Sequence, residues 1–131
     1  MKVIDVVAAV IIHKDKYLCA QRPHSKFDYL SYKYEFAGGK VEPTESREEA
    51  LVREILEELS VTVQVHSIID VIEHQYPDFA VNITFYKCSV NKTKKILAME
   101  HRCLNWCTKD ELGDLDWADA DKPIVTLLQS L

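Results

Sequence analysis

At 131 residues, a formal charge of −5 and nearly half its residues hydrophobic, the chain has the make-up of one domain (residues 1–131) around a single core. The acidic balance argues against a nucleic-acid polymer as partner, since phosphate backbones attract basic surfaces, but it leaves room for a small polyphosphate carried with divalent ions. No apolar run reaches the length of a membrane span, the start Met1-Lys-Val-Ile-Asp5 lacks a signal-peptide layout, and Cys19, Cys88, Cys103 and Cys107 form no C-x-x-C pair, so a reduced, cytoplasmic protein is expected.

Val3 to His13 is β-branched and apolar enough for a buried strand, and a Lys14-Asp15 turn with a second strand over Lys16 to Arg22 completes a hairpin. His24 to Lys33 is polar and aromatic, which predicts a loop over the site. Tyr34-Glu-Phe36 reads as a short strand running into Gly38-Gly39. Ser46 with Glu49 makes a capping box that starts a helix, with Pro43 just outside it. Leu51, Val52, Ile55, Leu56 and Leu59 form the apolar stripe that this helix turns to the sheet.

Thr62 to Glu73 and Val81 to Val90 are strand-rich and separated by Tyr76-Pro-Asp78, with Asn91 to Lys95 as a solvated turn. Leu104 to Cys107 is a short strand, and Cys103 and Cys107 at its ends suit small core positions. Thr108 and Glu111 form a second capping box, and Asp121-Lys-Pro123 opens a helix running to Leu131. Strands first, a helix mid-chain, more strands and a closing helix describe an α+β sandwich.

The chemistry concentrates between Gly38 and Val61. Glu54, Glu57 and Glu58 stand at i, i+3 and i+4, so on a helix their carboxylates share a face and converge. Like charges that close repel unless a cation holds them, and oxygen ligands suit a hard ion such as Mg2+. Gly38 and Gly39 sit just upstream, where the backbone can approach a metal or phosphate closely. A solvated acidic helix face is the competing reading for Glu57-Glu58 alone.

The stretch resembles the Nudix box, G-x5-E-x7-R-E-U-x-E-E-x-G-U with U a bulky aliphatic residue. Gly39, Glu45, Arg53, Glu54, Ile55, Glu57, Glu58 and Val61 match, and Ser60 stands where the second glycine belongs. The resemblance implies a Nudix fold, a mixed β-sheet sandwiched between α-helices. It also implies metal ligation by Glu54, Glu58 and the Gly38 carbonyl, with Glu57 serving a second ion or its water. Glu45 and Arg53 would pair and hold the loop-helix geometry, although Arg53 also has Glu49 and Glu57 within reach at i±4. Mg2+ is the implied cofactor, with Mn2+ as a substitute. Ser60 would have to take a left-handed conformation or end the helix differently. Ala37 and Thr44 replace a proline and a glycine usual around the box.

Val6-Val-Ala-Ala-Val10, Leu18-Cys-Ala-Gln-Arg22-Pro23, Glu35-Phe36-Ala-Gly-Gly-Lys40-Val-Glu42 and Asp121-Lys-Pro123 resemble the MutT-like branch, closest to CTP or 5-methyl-dCTP pyrophosphohydrolases, with 8-oxo-dGTP as the oxidised-purine option. Such enzymes hydrolyse an NTP to NMP and pyrophosphate. On this resemblance Arg22, Gly39 and Lys40 face phosphate, and Phe36, Tyr76, Asp119 and Asp121 face the base; Phe36 also suits a core and Arg22 a surface. Asp121 accepts hydrogen bonds from an exocyclic amine, or else caps the helix that follows it. The resemblance also implies one further catalytic carboxylate from the segment before the tryptophan matching Trp106; Asn105, directly before it, cannot act as a base, and Glu100 is the substitute there, or else a surface loop residue. A Nudix hydrolase of ADP-ribose and a catalytically silent nucleotide-binding domain are the rival readings. The expected partner is a small nucleotide, with no nucleic-acid polymer and no membrane, and a monomer is favoured over a homodimer.

Overall fold

The computed structural model describes residues 2–131, and strand β1 (Val3–His13) is its axis. β1 runs parallel to β6 (Ala80–Ser89), antiparallel to β4 (Gly38–Lys40), and hairpins into β2 (Lys16–Gln21). The hairpin turn places Lys14 and Asp15 at φ 50° and 62°, the positive values that a tight two-residue connection requires. β2 carries β3 (Tyr34–Glu35) on one edge and β7 (Cys103–Cys107) on the other, and β5 (Gln64–Gln75) borders β6. The sheet is therefore mixed, as expected; the anticipated strands shift by one or two residues at their limits, and β4 is an additional strand over glycines that the sequence reading leaves outside any strand.

Alternation along β1 splits the core into two layers. Val7, Ala9 and Ile11 face helix α1 (Arg47–Leu59), where they meet Leu51, Ile55 and Leu59. Ala8 and Val10 face the other way, toward Phe36, Phe85, Trp117 and helix α2 (Lys122–Gln129). Cys19, Cys88 and Cys107 are buried in these layers and Cys103 is half-buried.

α1 begins as its sequence requires: the Ser46 hydroxyl accepts from the Glu49 N–H, and the Glu49 carboxylate accepts from the Ser46 N–H. Its apolar stripe is narrower than expected, because Leu56 is 54% exposed while Leu51, Ile55 and Leu59 are fully buried. Three residues at four-residue spacing suffice to cover this part of the sheet, and Leu56 falls beyond their edge. At the C-terminal end Ser60 takes φ 60° and ψ 29° and donates its N–H to the Leu56 carbonyl. A serine thus adopts the left-handed conformation that a glycine would accept freely, at a cost of about 1 kcal/mol.

The second capping pair does not start an α-helix. Glu111 accepts from the Thr108 N–H at 2.8 Å, but only a 3-10 turn, Leu112–Asp114, follows. The indole N–H of Trp117 takes the Leu112 carbonyl at 2.7 Å, which is the acceptor a continuing helix would need. α2 spans Lys122–Gln129, shorter than the stretch to Leu131, and Asp121 makes no side-chain cap to it. No helix among the described residues is long and apolar enough to cross a membrane.

Candidate active site

Strand β4 and the middle of α1 meet across a very short gap. A Cβ on Gly39 would lie 2.4 Å from the Glu54 carboxylate carbon, so glycine is what lets that carboxylate sit against the strand. Gly38 is tighter still, since its Cβ would fall 1.9 Å from the Val7 carbonyl oxygen of β1. Arg53 fastens this junction: its Nε and Nη2 reach the two Glu45 oxygens at 3.0 and 2.6 Å, and Nη2 also donates to the Lys40 carbonyl at 3.0 Å. Its Nη1 holds Glu54 Oε1 at 2.9 Å. The Glu45–Arg53 pairing is present in the fold, not the Glu49 alternative.

The three helix glutamates do not converge equally. Glu54 and Glu58 are largely buried, their side chains 16% and 8% exposed, whereas Glu57 is 54% exposed, with Arg53 Nη1 at 3.5 Å from its Oε2. Four residues along a helix come back over one another, while three residues fall short by about 60° of rotation. Burial pushes the Glu58 carboxyl up to about 10, reinforced by the adjacent Glu54 carboxylate and by the charges of Glu35 and Glu100. Without a cation, burial and crowding of like charges favour the protonated form of Glu58. This donor set, with glycine backbone beside it, fits a hard divalent ion. Glu100 is exposed, on a segment tied to the end of α1 by the Met99 N–H, which donates to the Glu58 carbonyl at 3.0 Å.

A cleft of about 590 Å³ opens on the α2 side of the sheet. Its lining runs from Gly38, Gly39 and Lys40 past Arg22 and Glu35 to Phe36, Tyr76 and Asp121. Phe36 is 2% exposed, its ring 4.8 Å from that of Trp117. Tyr76 accepts from the Ala120 N–H at 3.0 Å and stacks on Tyr29 at 5.2 Å. Tyr29 belongs to the loop predicted to cover the site, and it donates to Asp78 across the cleft mouth at 2.8 Å.

Asp121 is buried, and its Oδ1 accepts from the Phe36 N–H at 3.1 Å instead of capping α2. Burial and the Glu35 charge raise its carboxyl well above the usual range, against the opposing pull of Phe36 N–H and Arg22. Asp119 is elsewhere: it pairs with Lys122 at 2.7 Å, is half-exposed and does not line the cleft. The expectation that Asp119 could face the base is corrected on that ground. A wider, more open groove of about 920 Å³ on the α1 side holds Glu45 and Arg47 but none of Arg22, Gly39, Glu54 or Asp121.

Two residues at this centre went unassigned in the sequence reading. Glu35 accepts from Arg22 Nη1 at 2.9 Å on Oε1 and from His101 Nε2 at 2.9 Å on Oε2. Burial alone would raise the Glu35 carboxyl, but the His101 hydrogen bond and the Arg22 charge more than offset it and hold it below the ordinary value. The available signal was a carboxylate inside an apolar strand, between Tyr34 and Phe36, which calls for a cationic or hydrogen-bonding partner. Its partners lie 13 and 66 positions away, beyond any local pattern.

A glycine-backed carboxylate pair on the first helix, beside a cleft on the opposite face of a mixed sheet, defines a Nudix hydrolase, and a family model of the NUDIX domain matches residues 7–127; the chain belongs to this family. Nudix hydrolases generally use a divalent metal. The chain is 40% identical over 132 residues to the CTP pyrophosphohydrolase of Escherichia coli strain K12, covering 100% of this chain and 95% of that one. It is 34% identical over 86 residues to an 8-oxo-dGTP diphosphatase of Proteus vulgaris, covering 65% and 75%. Among solved structures it is similar to the Escherichia coli ORF135 protein, at 35% identity and a TM-score of 0.83, over 100% of this chain and 91% of that one.

Proposed function

We propose that the protein hydrolyses a nucleoside triphosphate to its monophosphate and pyrophosphate with Mg2+, and that its substrate is a cytosine nucleotide of the CTP or 5-methyl-dCTP kind. The observation that carries this reading is the continuity of one cleft from Gly38, Gly39 and Lys40, beside Glu54, through Arg22 to Phe36 and Asp121. Full-length 40% identity to a CTP pyrophosphohydrolase supports the choice of base.

Glu54, Glu58 and the Gly38 carbonyl would hold the metal, with Glu57 serving a second ion or its water from the exposed side. Bound there, a divalent ion neutralises charge developing on the bridging phosphate oxygen and acidifies a water. Glu100, on the exposed segment beside Glu58, would be the carboxylate available to hold a proton released at the site. Arg22 is half-exposed, lines the cleft and presents a planar fork suited to phosphate. Lys40, next to Gly39, offers an ammonium donor on the same wall. Arg53 and Glu45 keep the loop and helix in register.

At the far end Phe36 and Tyr76 supply flat apolar walls, and Asp121 reads the base. With Oδ1 engaged by Phe36, Asp121 has one oxygen left, enough for one exocyclic amine such as N4 of cytosine. The same oxygen can meet N2 of a guanine, and similarity to 8-oxo-dGTP diphosphatases makes oxidised dGTP the second substrate to test.

A panel of canonical, methylated and oxidised (d)NTPs plus ADP-ribose, scored for pyrophosphate against phosphate release, tests the proposal. Pyrophosphate from CTP or 5-methyl-dCTP is expected to dominate. A preference for ADP-ribose would remove the MutT-like assignment, and a Glu54→Gln variant with near-normal turnover would remove the metal assignment.

A further inference from the structure

His101 has no place in the reaction as described, yet it sits where the two ends of the site touch. Its side chain is 4% exposed, and its Nε2 lies 2.9 Å from Glu35 Oε2 and 3.7 Å from Glu58 Oε1. Ligand atoms of Glu35, Glu58 and His101 all fall within 4.8 Å of one another. Its Nδ1 is buried without a hydrogen-bond partner, so the ring is not a fully satisfied core histidine, and burying it in this way costs stability.

The geometry around the ring has a direction. Glu35 accepts on both oxygens, so Nε2 is the protonated nitrogen facing it. One oxygen of Glu35 is thereby fixed by Arg22 in the cleft and the other by His101 outside it. His101 itself is absent from the cleft lining. Its backbone is also restrained on both sides: the Met99 N–H donates to the Glu58 carbonyl at 3.0 Å, and the Arg102 N–H to the Gln21 carbonyl at 2.8 Å. The segment is anchored to the end of α1 and to the end of β2 at once.

We infer that His101 is a positioning residue that sets Glu58 and, through Glu35, Arg22, so that the metal-facing and phosphate-facing ends of the site are held in register by one imidazole. This rests on the proposed roles of Glu58 and Arg22. A partner that orients a metal ligand without touching the metal carries about ten- to a hundred-fold in affinity. The distinguishing consequence is that one residue in contact with neither ligand governs the binding of both.

The test measures Mn2+ affinity without nucleotide, and CMP affinity at saturating Mg2+, in wild type, His101→Leu and His101→Gln. His101→Leu is expected to weaken Mn2+ binding about ten- to a hundred-fold, and to weaken CMP binding as well. His101→Gln keeps an N–H near the ε position and should recover most of both. Both affinities unchanged in His101→Leu, with only the melting temperature lowered, would overturn the inference in favour of a packing role.

Pulsed EPR of Mn2+ bound to the wild-type protein gives an outcome independent of whether the variants fold. No directly coordinated nitrogen is expected, and a strong imidazole coupling would overturn positioning in favour of ligation. Glu54→Gln and Arg22→Ala serve as controls. If they leave Mn2+ and CMP binding unchanged, the proposed site roles fail; if they abolish binding while His101→Leu does not, only the inference about His101 fails.

Discussion

Replacing each of the paired glycines by alanine separates the chemistry of the site from the stability of its scaffold. In Gly39→Ala the new methyl would stand 2.4 Å from the Glu54 carboxylate carbon, where ordinary contact begins at 3.4 Å, so the carboxylate must retreat by about 1 Å. The obstacle is the far end of a flexible side chain, and an off-rotamer glutamate costs about 0.5–1.5 kcal/mol. A reacting group or ligand misplaced by about 1 Å costs roughly a hundred-fold in rate.

In Gly38→Ala the methyl meets backbone instead, 1.9 Å from Val7 O and 2.7 Å from Ala8 Cα. β4 would have to part from β1, and over-packing of that kind costs about 1–3 kcal/mol or more. For a chain of this length each kcal/mol shifts the midpoint by about 4 °C, so Gly38→Ala should melt about 4–12 °C lower. Gly39→Ala should keep most of its melting temperature and lose about two orders of magnitude in pyrophosphate release. Calorimetry paired with a coupled pyrophosphate assay reads both quantities. Equal thermal losses in the two variants, or Gly39→Ala working within threefold of wild type, would refute the argument that Gly39 exists to seat Glu54.

Other consequences follow from the same geometry. Glu58 holds its proton to about pH 10 in the fold but releases it near 4.5 when unfolded, so the metal-free protein should lose stability as pH rises through that window. Saturating Mg2+ should flatten the slope and release about one proton per ion, readable by titration calorimetry in buffers of different ionisation enthalpy; a flat metal-free profile would exclude the buried acid. Glu58→Gln should raise the metal-free melting temperature above pH 7 while abolishing turnover, and parallel loss of both would count against it. Ser60→Gly should stabilise by about 1 kcal/mol, or about 4 °C, with activity unchanged, because glycine accepts φ 60° without a Cβ clash. Arg53→Lys keeps the charge but loses the fork that grips both Glu45 oxygens, so kcat should fall at least ten-fold with little change in melting temperature; unaltered kcat would show that a point charge suffices.

The sequence by itself determined the parts that depend on near neighbours along the chain. The Ser46–Glu49 box starts α1, the four-residue spacing of Glu54 and Glu58 superposes their carboxylates, and the Lys14-Asp15 turn makes the hairpin. Short-range periodicity carries such features, because helix and strand geometry convert spacing into direction. Two local rules were overridden: Leu56 lies beyond the sheet edge, and Trp117 takes the carbonyl that a helix after Glu111 would need. Only the tertiary structure decided what lies between elements. It sent Asp121 to the Phe36 N–H and Asp119 to Lys122, and it joined Glu35 to Arg22 and His101. Those pairings span up to 85 positions. They exist because a carboxylate buried in folding must find whichever donor the packed sheet and loops bring to it, and no spacing in the chain encodes which one that is.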